Sequence, residues 1–152
     1  MTRPSWNKYY IEIAKVVSSR SIDPSTKVGA VIVSEKNRIV SCGYNGFPAG
    51  LSDEKLTLEK TPTQIKEDLV ATKYHFIIHA KLNAILSSEK SLEGCKIYTT
   101  LFPCSECAKA IVASKIQEVI FLDQREKMDY KISEYILKEA NVKLTKINPE
   151  DN

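Results

Sequence analysis

Residues 103–107 read PCSEC, and His79 stands 25 residues before the first of those two cysteines. Thiols spaced Cys-x-x-Cys and an imidazole are the residue types that grip a soft dication. If they grip one together, the fold is tightly constrained. The segment opening at His79 and the segment opening at Cys104 must face each other across one edge of a sheet. Cys104 and Cys107, at i and i+3 of a helix's first turn, put both sulfurs on one side. The positive end of the helix dipole favours thiolates there. Three N/S ligands leave a fourth position open, which describes a catalytic zinc site rather than a closed structural one. A redox pair of the thioredoxin type also follows a strand, so Cys-x-x-Cys alone leaves both readings open. The added histidine favours the metal.

The 152 residues around this constellation are a single domain's worth, 1–152, enough to bury a core. A content of 43% hydrophobic and 27% charged residues is that of a globular protein and argues against disorder. A net charge of +3 is too mild for a dedicated nucleic-acid binder and compatible with a small anionic ligand such as a nucleotide. No apolar run has the form of a signal peptide or the length of a membrane span, so the expected setting is cytoplasmic and without a membrane partner. There are four cysteines, Cys42, Cys95, Cys104 and Cys107, and in a reducing compartment the Cys-x-x-Cys is expected to be a metal or redox pair rather than a structural disulfide.

Trp6, Tyr9, Tyr10, Ile13, Ala14 and Val17 recur at helical spacing behind a candidate N-cap, Ser5. VGAVIV (28–33) and RIVSCGY (38–44) predict a β-hairpin. Within the long connection 45–75, Thr61, Pro62 and Gln64 predict a capped short helix over about 62–72. A further helix is expected to begin near His79, burying Leu82, Ile85 and Leu86, with Lys81 about 200° around from His79. CKIYTTLF (95–102) predicts a strand, Pro103 the start of a helix, and EVIFLD (118–123) a strand buried on both faces. An amphipathic helix at about 129–140 and a strand VKLTKI complete the order α-ββ-α-β-α-β-α-β. Such alternation argues for an α/β fold with a mixed sheet and helices on both faces.

SWNKYYIEIAK, RSIDPSTKVGAVIV, GYNGFPAG, HAKLNAI and LFPCSECAK resemble, in order and spacing, the deoxycytidylate (dCMP) deaminase family. The likeness runs over about residues 5–123, and the GYNGFP loop separates it from tRNA adenosine and free-cytidine deaminases. It implies a cytidine deaminase-like fold, a three-layer α/β/α sandwich on a five-stranded mixed sheet. It implies Zn²⁺ held by His79, Cys104 and Cys107, with Asn45 contacting the substrate sugar and the Ala80 backbone reading the pyrimidine edge. It implies hydrolytic conversion of dCMP to dUMP and ammonia. It further implies a homo-oligomer, commonly a hexamer, with dCTP and dTTP as allosteric effectors bound near Gly46.

One position departs from that family. Its reaction uses a glutamate, not a metal ligand, to relay protons to the ring and to the leaving amine. Lys81 occupies that position. A lysine there removes the proton acceptor, places positive charge beside the metal and removes a hydrogen bond that orients water. Three readings follow: an inactivated variant of an enzyme, a catalytically silent nucleotide-binding relative or subunit, or altered chemistry with Lys81 as a neutral base. The first two are favoured, and Lys81→Glu is expected to restore dCMP deamination. Glu106, between the cysteines, is expected to be a solvated surface carboxylate rather than a substitute relay.

Lys27 and Arg20 flank the turn before the first strand and are candidates for a nucleotide phosphate or an effector. His75 and Cys42 are too few for a second zinc site; a packed or solvated His75 and a buried Cys42 are expected. Cys95 is expected in the core. Trp6, Tyr9 and Tyr10 are expected to pack the first helix, and DEKLTLEK (53–60) to be solvated surface.

Overall fold

The computed structural model describes residues 2–151. In chain order the elements are α1 (Trp6–Ser18), β1 (Gly29–Val33), β2 (Ile39–Tyr44), β3 (Thr63–Lys66), β4 (Leu69–Ala71), a 3-10 turn (Lys73–His75), α2 (Ala80–Leu86), β5 (Lys96–Leu101), α3 (Ser105–Ala113), β6 (Glu118–Asp123), α4 (Met128–Glu139) and β7 (Lys143–Lys146). α1 starts as expected, with the Lys8 N–H donating to Ser5 Oγ at 3.2 Å.

The five-stranded sheet has the order β2-β1-β5-β6-β7. β1 pairs antiparallel with both β2 and β5, and β5, β6 and β7 run parallel, so the sheet is mixed. The turn between β1 and β2 places Asn37 at φ 57, a left-handed conformation that asparagine tolerates. Alternate residues of each strand point to opposite faces. Val31, Val33, Tyr98 and Ile120 pack against Tyr10, Ile11 and Ala14 of α1. Ala30, Ile32, Ile97, Val119 and Phe121 belong to the opposite core, with Ala80 and Ala84 of α2, Ile111 of α3 and Leu137 of α4. Helices therefore cover both faces, and the β1 and β6 runs are buried because each face has its own layer.

Two glycines let the layers touch. A Cβ at Gly29 would collide with Ala14 O and sit 2.7 Å from Ser18 N, while one at Gly43 would collide with Ala84 N and sit 2.7 Å from Ala80 O. The backbones of α1 and α2 thus rest directly on β1 and β2.

The predicted helix over 62–72 is not there. β3 and β4 form an antiparallel two-stranded ribbon in its place. The capping-box reading fails on Gln64, whose Nε2 donates forward to Glu67 O at 3.2 Å instead of folding back to Thr61. The turn Glu67-Asp68 then closes a hairpin. α2 also differs in detail. His79 has extended backbone angles, φ −67 and ψ 151, and caps the helix from outside it. Ala80, Lys81 and Ala84 are its buried residues, and Leu86 is 64% exposed. Pro103 likewise stands before α3, which Cys104 caps.

Candidate active site

The register of the sheet brings four chain segments to one end. Gly29 pairs with Tyr44, and Ala30 with Thr99. The start of β1, the end of β2 and the end of β5 therefore lie side by side, and the end of β6 joins them because Leu101 pairs with Asp123. A crevice outside the carboxyl ends of strands is where open α/β sheets bind ligands. The cleft here is lined by Thr26 and Val28 before β1, Asn45 after β2, His79, Ala80 and Lys81 at α2, Leu101 and Cys104 after β5, and Arg125 after β6.

His79 Nδ1 lies 3.3 Å from Cys104 Sγ and 3.6 Å from Cys107 Sγ. The three ligating atoms are all within 4.8 Å of one another. His79 and Cys104 both stand at N-cap positions, Cys104 just before the first turn of α3 rather than within it, and Cys107 is buried in that turn, so two helix starts meet here. α4 holds the α3 start in place. Asp129 accepts from Ser105 N at 2.9 Å and from Ser105 Oγ at 2.6 Å, and Ser133 Oγ donates to Pro103 O at 2.7 Å.

The charge state of the thiols suits a metal. Hydrogen bonding with Cys107 pulls Cys104 down to about 4, against burial and with help from His79. The same bond, together with burial, pushes the Cys107 thiol up. The two sulfurs share one hydrogen bond, and a dication in its place would be matched by two thiolates and an imidazole. That soft N/S donor set, without a carboxylate among the three, fits Zn²⁺.

Lys81 reaches this site by a route that a helical wheel does not describe, because His79 lies outside the helix. Its side chain is buried, at 4% exposure, and Nζ donates to Leu101 O at 3.2 Å. Burial pulls its pKa below the ordinary lysine value, the nearby Cys107 and Cys104 sulfurs oppose that shift, and Arg125 adds to it. Glu106 points away, ion-paired at 2.7 Å with Lys109 on the exposed side of α3, as expected.

Asn45 is buried, with Oδ1 accepting from Val28 N and Nδ2 donating to Thr26 O, both at 2.8 Å. Ala80 lines the cleft beside His79. Gly46 exchanges backbone hydrogen bonds with Ile78, donating at 3.1 Å and accepting at 2.8 Å, which ties the loop after β2 to the approach to His79. Lys27 is exposed and is not among the cleft-lining residues. The Arg20 guanidinium lies 5.8 Å from the Tyr44 ring centroid. His75 Nδ1 accepts from Thr72 N at 3.0 Å within its own turn. Cys42 is exposed rather than buried as expected, because β2 is the edge strand of the sheet. Cys95 is in the core. Trp6 stacks on Tyr10 but is 54% exposed, and Tyr9 is exposed as well.

Several cleft residues were not anticipated: Thr26, Lys60, Arg125, Tyr130 and, above all, an ion pair between Lys73 and Asp23 at 2.7 Å that is almost wholly buried. The partners are 50 residues apart, and neither sits in a motif with metal-ligand or acid–base spacing. Only the turn residues SIDPST hinted that Asp23 was committed to local structure.

The profile of a family described as the cytidine and deoxycytidylate deaminase zinc-binding region matches residues 4–123. The chain is 39% identical over 148 residues to the deoxycytidylate deaminase of Mus musculus, covering 95% of this chain and 81% of the mouse protein. It is 43% identical over 121 residues to that of Homo sapiens, covering 79% of this chain and 66% of the human one. In three dimensions it is similar to a crystal structure of dCMP deaminase from the cyanophage S-TIM5, with a TM-score of 0.73 at 23% identity, covering 96% of this chain and 100% of that one. That likeness, at so low an identity, speaks for the fold. Together with the His79, Cys104 and Cys107 cluster, the matches show that the chain belongs to the cytidine and deoxycytidylate deaminase family.

Proposed function

We propose that this chain is a dCMP deaminase by descent and site, binding dCMP for hydrolysis to dUMP and ammonia, with turnover impaired by Lys81. The observation that carries it is the convergence of His79, Cys104 and Cys107 at the end of the sheet, beside Asn45 and Ala80. His79, Cys104 and Cys107 would hold zinc. When bound, zinc supplies Lewis acidity that makes water a nucleophile near neutral pH.

The chain's own residues set the rest. Asn45 and the Ala80 backbone are assigned the sugar and the pyrimidine edge. Lys60 and Arg125 are cations on the cleft lining and suit a monophosphate. Hydrolysis at C4 adds water and expels ammonia, so one group must accept a proton and give it up twice over. An ammonium has three donors and no acceptor, and Lys81 commits one donor to Leu101 O. Loss of a positioned acid–base group costs about 10² to 10⁴ in rate.

The burial of Lys81 favours a second reading in which the chain binds nucleotides without turning them over. The hexamer, the dCTP and dTTP effectors at Gly46 and Lys27, and a cytosolic setting remain part of the proposal. Among the described residues no helix is long and apolar enough to cross a membrane.

The test is dUMP formation from dCMP, read by chromatography, with zinc-loaded Lys81→Glu and the unaltered chain side by side. Turnover at least about 10² faster in the variant is expected. Binding of dCMP with no turnover in either chain selects the second reading, and absence of dCMP binding in both rejects the assignment.

A further inference from the structure

We infer that Lys73 and Asp23 are positioning residues: a buried ion pair that joins the segment delivering His79 to the segment delivering Asn45, and so fixes the two walls of the cleft against each other. The inference rests on the nucleotide-deaminase reading for its ligand, but not for its geometry.

Lys73 Nζ donates to Asp23 Oδ2 at 2.7 Å, with the two side chains only 5% and 3% exposed. The other carboxylate oxygen, Oδ1, accepts from Ser25 N at 2.8 Å and from Thr26 N at 3.3 Å. Thr26 passes the constraint on. Its carbonyl accepts from Asn45 Nδ2 at 2.8 Å, and its hydroxyl accepts from Arg125 Nη2 at 2.6 Å. Asn45 is then closed from the other side, by Val28 N donating to Oδ1 at 2.8 Å and by Ser21 Oγ donating to Asn45 O at 2.8 Å. Both hydrogen-bonding ends of the Asn45 amide are therefore set by a turn whose shape depends on Asp23.

Lys73 is equally fixed at its own end. Its N–H donates to Glu59 O at 2.9 Å, and its carbonyl accepts from Phe76 N at 3.0 Å and Ile77 N at 2.9 Å. The next residue, Ile78, exchanges hydrogen bonds with Gly46, and His79 follows. One ion pair thus bridges the run from 59 to 79 and the run from 21 to 26. A buried pair is poor value as mere glue, because desolvation offsets its attraction, whereas removing one partner strands a charge. Both residues line the cleft and are held without slack, which is the arrangement needed to keep a substrate-contacting amide aimed.

The test uses the full chain, ¹⁵N-labelled, with Lys73→Met, Lys73→Arg and the double variant Asp23→Leu with Lys73→Met. The double variant removes both charges and keeps the protein folded if a single change does not. The first readout is hydrogen exchange of the Asn45 side-chain amide, which needs no nucleotide. Exchange at least about tenfold faster is expected in Lys73→Met and in the double variant, as local opening requires. Lys73→Arg, which keeps the charge, is expected to stay within about twofold of the unaltered chain. Asn45 exchange unchanged in a folded Lys73→Met, or in the folded double variant, overturns the inference. The second readout is dCMP affinity at constant zinc content, expected to fall about tenfold in Lys73→Met. A normal dCMP affinity in a variant whose Asn45 exchange has accelerated also overturns the inference. If the unaltered chain binds no dCMP, the nucleotide reading fails, and the exchange measurement alone decides the role of the pair.

Discussion

At the scale of single residues, the proposed loss of turnover rests on Lys81. Its ammonium is buried against Leu101 O and is felt by both cysteine sulfurs. A protonated amine there opposes a dication before any proton transfer is considered, and burial already lowers its pKa. Two unit charges about 4 Å apart interact by about 4 kcal/mol at an effective dielectric near 20. Even a strongly screened fraction of that is measurable. Zinc affinity, read by competition with a chromophoric chelator, is expected to rise at least about tenfold in Lys81→Met and further in Lys81→Glu. Equal affinities in all three chains would place Lys81 outside the metal's field. The type of chemistry at His79, Cys104 and Cys107 was legible because local spacing specifies it. The Asp23–Lys73 pair was not, because two unremarkable charges 50 residues apart acquire meaning only when the chain folds.

At the scale of elements, the strands of the five-stranded sheet and the helices α1 and α4 follow from the apolar pattern, and the failure at 62–72 shows the limit of that signal. Thr63 and Ile65 are half-buried, Gln64 and Lys66 exposed, a period of two that four residues express too weakly to outvote a capping motif. α2 is just as instructive. It is seven residues long, and its buried face is set by its seat on Gly43 rather than by its leucines. Gly43→Ala would force α2 off β2, since the added methyl meets Ala84 N and Ala80 O. Overpacking of this kind costs about 1–3 kcal/mol. Because α2 starts immediately after His79, the variant is also expected to hold zinc more weakly. Calorimetry and metal analysis of the purified variant check both effects, and a lowered Tm with normal zinc affinity would separate the α2 seat from the site.

At the scale of the whole molecule, the site is the place where parts distant in sequence are fastened together, so its charges should govern how the fold responds to acid and to metal. Burial raises the Asp23 carboxyl, but bonds from Lys73, Ser25 and Thr26 outweigh it, leaving its pKa below the ordinary 3.8. A carboxylate depressed in the folded state stabilises fully above its unfolded value and loses that contribution as pH falls through the folded value. Tm is therefore expected to be insensitive to this pair at neutral pH and to fall below about pH 4, with a shallower acid slope in Asp23→Asn. A bound metal would act on the same architecture from the other wall. His79 ends the long excursion through β3 and β4, whereas Cys104 and Cys107 follow β5 directly, so an ion bound by all three closes a loop that spans that excursion's end and the sheet's centre. A ligand at about 100 times its Kd stabilises the folded state by about 2.7 kcal/mol. In a domain of this size that corresponds to about 5–10 °C in Tm. Thermal melts with added zinc and with chelator are expected to differ by that amount in the unaltered chain, and the difference should vanish in Cys107→Ser. A chelator-insensitive melt in a sample shown by metal analysis to have carried zinc would mean that the ion sits elsewhere, and that the convergence of imidazole and thiols at the end of the sheet does not hold it.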